Sequence, residues 1–180
     1  MIKGRWEGWM SKDAGLIACI GCGAPVPDTD GPTYRYPEAA SPGCWAEFGK
    51  VLVAEYELCG YSPIHRLIVD AYAVQHPGRP TPQTIQSVTM HLVGLGCMLA
   101  RGQDASIATR TMGRLLARFK GQFTWLEPPA ARGAMTVLDI VGATDCPELQ
   151  ARVVTWAESA WDAWSEHHAT IGQWVSKAYE

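Results

Sequence analysis

Three times between residues 41 and 82 a hydroxyl residue is followed by proline: Ser41-Pro42, Ser62-Pro63 and Thr81-Pro82. Each pair is a helix start. The hydroxyl suits the exposed first-turn amides, and proline at the first helical position gives up no hydrogen bond. Gly60 and Pro77-Gly78 stop the first two helices. The spacing therefore predicts antiparallel helices over about 42–58, 62–76 and 81–102, joined by short connections. A fourth helix is expected over about 105–120, then a looser stretch 121–146 with a short apolar piece around Val137 to Val141. A long last helix is expected from Pro147 to Lys177, burying Val154, Trp161, Trp164, Ile171 and Val175 as one stripe. The expected fold is mainly α: a four- to five-helix bundle with an irregular N-terminal loop tied by metal. The 180 residues suit one domain, comprising an unassigned segment 1–18, a Cys/Gly/Pro-rich loop 19–43 and a bundle 44–180.

Composition limits the partners. Net charge is −3, and the one modest basic group, Arg110, Arg114, Arg118 and Lys120, falls at helical spacing and reads as a solvated face. Nucleic-acid binding needs a more concentrated basic footprint. No apolar run reaches membrane-spanning length, and the first residues lack the apolar run of a signal peptide. The expected location is the cytoplasm, where the six cysteines serve metal ligation or plain burial in preference to bridging.

The sharpest local signal is Cys19-Ile20-Gly21-Cys22-Gly23. Two thiolates three residues apart, with glycine inside and after the pair, make the turn of a zinc knuckle, which supplies half of a tetrahedral site. Cys44, in the first turn of the first helix, is the nearest further ligand, and a helix N-terminus favours a thiolate there. The second helix returns antiparallel, so its C-terminal His76 lies near the start of the first. The expected set is Cys19, Cys22, Cys44 and His76, with Asp30 as a substitute. A thioredoxin-like redox pair competes, but it needs the motif to open a helix, and Gly23-Ala24-Pro25 does not. Cys59, Cys97 and Cys146 stand alone and read as buried small apolar residues.

The histidines suggest a second site. His65, His91 and His168 fall in phase with apolar residues of their helices. His65 is about 16 Å along the axis from His76, and His91 about 15 Å in from Thr81, which brings both to similar height. With His168 they make a possible facial metal set with open positions, near Asp70 and His167 as outer hydrogen-bonding partners. The plainer reading makes each histidine a hydrogen-bonded core residue. Asp28-x-Asp30-Gly31 begins like a calcium loop but lacks the later ligands, so it reads as a turn.

Several longer runs carry a resemblance. They are Cys19-x-Gly-Cys22-Gly-Ala, Pro27-Asp28-x-Asp30-Gly31-Pro32-Thr33, Ser41-Pro42-Gly43-Cys44-Trp45, the stretch from His65 to Gly78, Gln86-Ser87-Val88, His91-Leu92 and Trp164-Ser165-x-His167-His168. Together they resemble an uncharacterised bacterial family of short proteins, a domain of unknown function. The resemblance spans about Cys19 to Val175. It implies membership and a shared Cys/His pattern, and no activity. The family pattern carries His where this chain has Tyr34. A looser likeness is to DinB-like bundles, which hold metal by three helix-borne histidines and include thiol-dependent transferases.

Two functional readings follow. In the first, the Cys site is structural and the His site holds an ion that activates water or a thiol, making a metal-dependent hydrolase or group transferase for a small molecule in a Trp-lined pocket. In the second, zinc ties the loop and the chain is a non-catalytic protein-interaction module.

Overall fold

The computed structural model describes residues 15–34, 38–60 and 63–180. Within them lie a two-stranded antiparallel hairpin, β1 (Leu16–Ala18) and β2 (Pro25–Pro27), and six α-helices. The helices are α1 (Pro42–Cys59), α2 (His65–Gln75), α3 (Pro82–Leu95), α4 (Ala105–Phe119), α5 (Cys146–Ala163) and α6 (His168–Lys177). A π-helical turn, Gly96–Ala100, extends α3, and 3-10 turns occupy Val137–Asp139 and Ser165–His167. The fold is mainly α, as expected. No helix among the described residues is long and apolar enough to cross a membrane.

The helix starts have different local causes. Thr81 accepts from Thr84 N, while the Thr84 hydroxyl takes Thr81 N, a reciprocal capping box. Ser41 does not cap its own helix; its Oγ accepts from Ile20 N at 3.1 Å and so binds the hairpin loop. The cap expected at Ser62 lies outside the described residues, and α2 begins at His65. The basic residues Arg110, Arg114, Arg118 and Lys120 are exposed on or just after α4, as a solvated face requires.

Three expectations need correction. The segment 19–43 is not wholly irregular. Strand β2 pairs with β1 in the register Leu16↔Pro27, Ile17↔Val26 and Ala18↔Pro25, burying Val26 completely. Prolines sit here at little loss because an edge strand leaves some amides without a ladder partner. The last helix is two helices. After Trp164 the backbone tightens to i→i+3 bonds, Trp164 N to Trp161 O and His167 N to Trp164 O, before α6 resumes. Trp161, Trp164, Ile171 and Val175 are buried, but Val154 is exposed and Val153 takes the inward place. Finally, Cys59 and Cys146 do not stand alone. They form a disulfide with Cα atoms 5.1 Å apart, joining the end of α1 to the start of α5. Cys97 alone of the three is a free, buried thiol.

The core runs between α2, α3, α5 and α6. Its largest fully buried side chains include Trp156, Trp164, Tyr72, Ile68, Leu92, Leu95 and Ile171. Helix α2 is buried along its whole second half, from Asp70 to Gln75, which carries His76 to the base of the hairpin.

Candidate metal centre

Three separate pieces of chain meet at one end of α1. The hairpin turn brings Cys19 and Cys22, the first turn of α1 brings Cys44, and the C-terminal end of α2 brings His76. Their ligand atoms all lie within 4.8 Å of one another. Cys44 Sγ is 3.4 Å from His76 Nε2, Cys19 Sγ is 3.6 Å from the same nitrogen, and Cys22 Sγ is 3.8 Å from Cys44 Sγ. A tetrahedral ion bonded at about 2.3 Å to sulfur and about 2.0 Å to nitrogen spaces its ligand atoms by about 3.5–3.8 Å. The donor set therefore fits one metal ion.

Local geometry explains why this sequence closes on that point. Cys19 N donates to Ala24 O at 2.8 Å, and Gly23 N donates to Cys19 O at 2.9 Å, curling the loop so that both sulfurs face inward. Gly23 has φ of 78°, a conformation side-chain-bearing residues avoid. Gly21 is needed for space: a Cβ there would stand 2.2 Å from Ala39 O and 2.4 Å from His76 Cδ2.

The histidine is oriented from behind. His76 Nδ1 lies 2.6 Å from Tyr72 O, a carbonyl that can only accept, so Nδ1 carries the proton and Nε2 presents its lone pair to the sulfurs. That carbonyl is one of those left open by the end of α2. Around the site Ser41 N donates to Cys19 Sγ at 3.5 Å, and Tyr72 Oη donates to Cys44 Sγ at 3.6 Å. The Tyr72 ring stacks on both Phe48 and His76 at 4.0 Å between centroids.

Without an ion the cluster is electrostatically crowded. Hydrogen bonds from Cys22 and Cys44 hold the Cys19 thiol far below the usual range, while those to Cys19 and Cys22, with burial, push Cys44 far above it. Burial lowers the His76 pKa, but bonds to Cys19 and Cys22 outweigh it and raise the value to about 9. Three thiols and an imidazole in one buried space cannot all shed their protons unless a cation replaces them.

Ser41 and Tyr72 were not identified as site residues from sequence. The proline after Ser41 pointed to a cap, and nothing local to Tyr72 shows that its hydroxyl reaches a residue 28 positions earlier. Tyr34 belongs to the aromatic wall. Its ring centroid is 5.3 Å from Tyr72 and 6.4 Å from His76. Four ligands assemble without it. Asp30 is exposed and is not in the cluster.

The other histidines have separate partners. His65 Nδ1 meets Glu55 Oε2 of α1 at 2.8 Å. His91 Nδ1 meets Asp70 Oδ1 at 2.7 Å, and Arg66 grips the same carboxylate with Nε at 2.9 Å and Nη2 at 2.6 Å. His168 Nε2 donates to Trp161 O at 3.0 Å, with its ring stacked 3.8 Å from Trp161. His167 Nε2 donates to Glu127 O at 2.8 Å. Among the described residues, the Cys19/Cys22/Cys44/His76 set is the one group that gathers three or more such ligand atoms. The expected set of His65, His91 and His168 is not gathered. His168 shares the Trp161 carbonyl with Trp164 N at the break before α6, and His65 turns toward α1 rather than α3. Asp70 does act as an acceptor that orients a histidine, but that histidine is His91 in the core.

The chain belongs to a family of unknown function, DUF5946, whose model matches residues 17–165, a span holding all four ligands. No curated protein and no solved structure matches it.

Proposed function

We propose that this member of a family without a known activity is a zinc-stabilised helical protein, in which one structural zinc, held by Cys19, Cys22, Cys44 and His76, clamps the N-terminal hairpin onto α1 and α2. The carrying observation is the closure of four protein donors to tetrahedral spacing. Three thiolates and one imidazole suit zinc, and four protein ligands fill its usual shell and leave no position for a reacting water. The hydrolase and transferase reading needs an ion with open positions, and the histidines expected to supply one have other partners.

The role that fits a closed site is presentation of a surface. The hairpin that the zinc fixes exposes Leu16 and Ile20, at 68% and 63% of their full accessibility. Apolar side chains on a rigid, metal-pinned turn are suited to a protein partner. This supports the interaction-module reading over the enzymatic one.

Elemental analysis of protein purified without chelator tests the proposal. One zinc per chain is expected, lost in Cys22→Ser with a fall in melting temperature. Iron in place of zinc, or unchanged metal content in Cys22→Ser, overturns it.

A further inference from the structure

The three sulfurs of the metal centre are not equivalent. Cys19 is 3% exposed, and its Sγ accepts from Ser41 N at 3.5 Å. Cys44 is fully buried, and its Sγ accepts from Tyr72 Oη at 3.6 Å. Cys22 alone among the four ligands is only partly buried. Its Sγ meets the Cys44 sulfur at 3.8 Å, and no backbone or hydroxyl donor among the described residues reaches it. The surroundings differ in the same sense. Cys22 stands in the hairpin turn between Gly21 and Gly23, and a Cβ built on Gly23 would meet nothing within 4 Å. Open space therefore borders the turn beside Cys22, whereas Ser41, Tyr72 and His76 close over the other two sulfurs.

Those differences decide reactivity. The thiolate is the nucleophilic form of cysteine, and a bound cation keeps ligating thiols in that form. All three sulfurs share this activation, so it does not choose among them. Exposure and hydrogen bonding do. A donor aimed at a sulfur draws on the electron pair that would attack, and burial bars the approach of a reagent. Cys19 and Cys44 carry both restraints, and Cys22 carries neither. Cys97, the remaining free thiol, is fully buried and lies outside the cluster. Sulfur is soft and polarizable, which matches it to a soft carbon electrophile. The exposed Ile20 in the same turn gives such a reagent an apolar surface to lie on.

We propose that Cys22 is a modification site for electrophiles of the α,β-unsaturated carbonyl class, and that capture of one releases the clamp on the hairpin. This rests on the zinc reading above. Cys22 Sγ attacks the β-carbon of the alkene, and one S–C bond forms. The alkene π bond breaks, its electron pair passes to the α-carbon, and that carbon takes a proton from water, leaving hydroxide. Cys22 ends as a neutral thioether, a weaker ligand than the thiolate it replaces. Three strong donors then remain where a closed structural site needs four. The hairpin loses its fixing point, and the surface bearing Leu16 and Ile20 is no longer presented in one place.

The probe is N-ethylmaleimide, added in equimolar amount to the full chain purified with its metal. Zinc per chain is measured before addition, ion release is followed with a chromophoric chelator, and adducts are located by peptide mass mapping of samples quenched over time. Cys22 is expected to take the adduct at least about tenfold faster than Cys19, Cys44 or Cys97. Ion release should keep pace with the Cys22 adduct. Cys22→His, which keeps a fourth donor, should retain the ion and lose the fast adduct. Should that variant fail to fold, the time course of the parent decides alone. A first adduct on another cysteine, equal rates at all four thiols, an ion retained after Cys22 is modified, or a fast adduct persisting in Cys22→His overturns the proposal while the zinc reading stands. A chain without zinc before addition overturns both.

Discussion

Gln75, one residue before His76 of the candidate metal centre, shows how much a single buried amide can hold. Its Nε2 donates to Arg132 O at 2.8 Å and Met135 O at 2.7 Å, and its Oε1 accepts from Trp156 Nε1 at 3.0 Å. The residue is 1% exposed, so its own amide lies out of water. Gln75→Leu keeps the volume and strands two carbonyls and an indole N–H. At about 1–3 kcal/mol for each buried unpaired group, a loss of roughly 3 kcal/mol or more is expected, read as a lower urea midpoint with unchanged slope. Gln75→Glu should fare no better, because a carboxylate cannot donate to the two carbonyls. None of this was legible in the sequence, because the partners of Gln75 lie 57 to 81 positions away. The metal ligands were legible because their signal is local: paired cysteines with glycine between them, a cysteine in a helix's first turn, and a histidine at a helix end. Ser41, Tyr72 and Gln75 act across the chain, and their partners are fixed only by tertiary packing.

At the scale of elements, the helix order was readable because proline and glycine act on their own backbone. The break between α5 and α6 was not. One 3-10 turn shifts the phase of an apolar stripe too little to interrupt the pattern from Trp161 to Val175, so two helices imitate one. The start of α5 offers a test of a local signal. Asp145 accepts from Glu148 N, while Glu148 Oε2 accepts from Thr144 N at 2.8 Å and Thr144 Oγ1 at 2.9 Å, and Oε1 meets Arg152 at 2.6 Å. The Thr144 backbone and hydroxyl bonds, then Arg152, hold the Glu148 carboxyl at about 2. A folded-state pKa below the unfolded one stabilises above the unfolded value, about 4.3, and that contribution fades as pH falls through the folded value. Glu148→Gln should therefore lower the urea midpoint at pH 7. The gap to the parent should narrow as pH is lowered below about 4. A gap constant from pH 7 to pH 3 counts against the role.

At the scale of the molecule, helix α1 is fastened at both ends by sulfur. Cys44 joins the metal centre in its first turn, and Cys59 closes the disulfide to Cys146 at its last residue. The sequence hid this second fastening, because the partners are 87 positions apart and no spacing rule links them. Cross-linking so long a loop removes freedom mainly from the unfolded chain, and is worth about 3–4 kcal/mol. The double variant Cys59→Ser/Cys146→Ser should lose roughly that much. Parent protein treated with a phosphine reductant should match it in urea unfolding. Equal midpoints for oxidised parent and double variant would show that the bridge contributes nothing.

The two fastenings become available at different moments in the chain's life. The last metal ligand is residue 76, so the hairpin, α1 and α2 can be knotted around an ion while α3 to α6 are still being made. The bridge to Cys146 must wait for most of the chain. A nascent polypeptide starved of such an ion would thus bring three bare thiols, Cys19, Cys22 and Cys44, into the company of Cys59 before its proper mate exists. Early capture of the ion keeps those sulfurs out of that exchange and leaves Cys59 for Cys146.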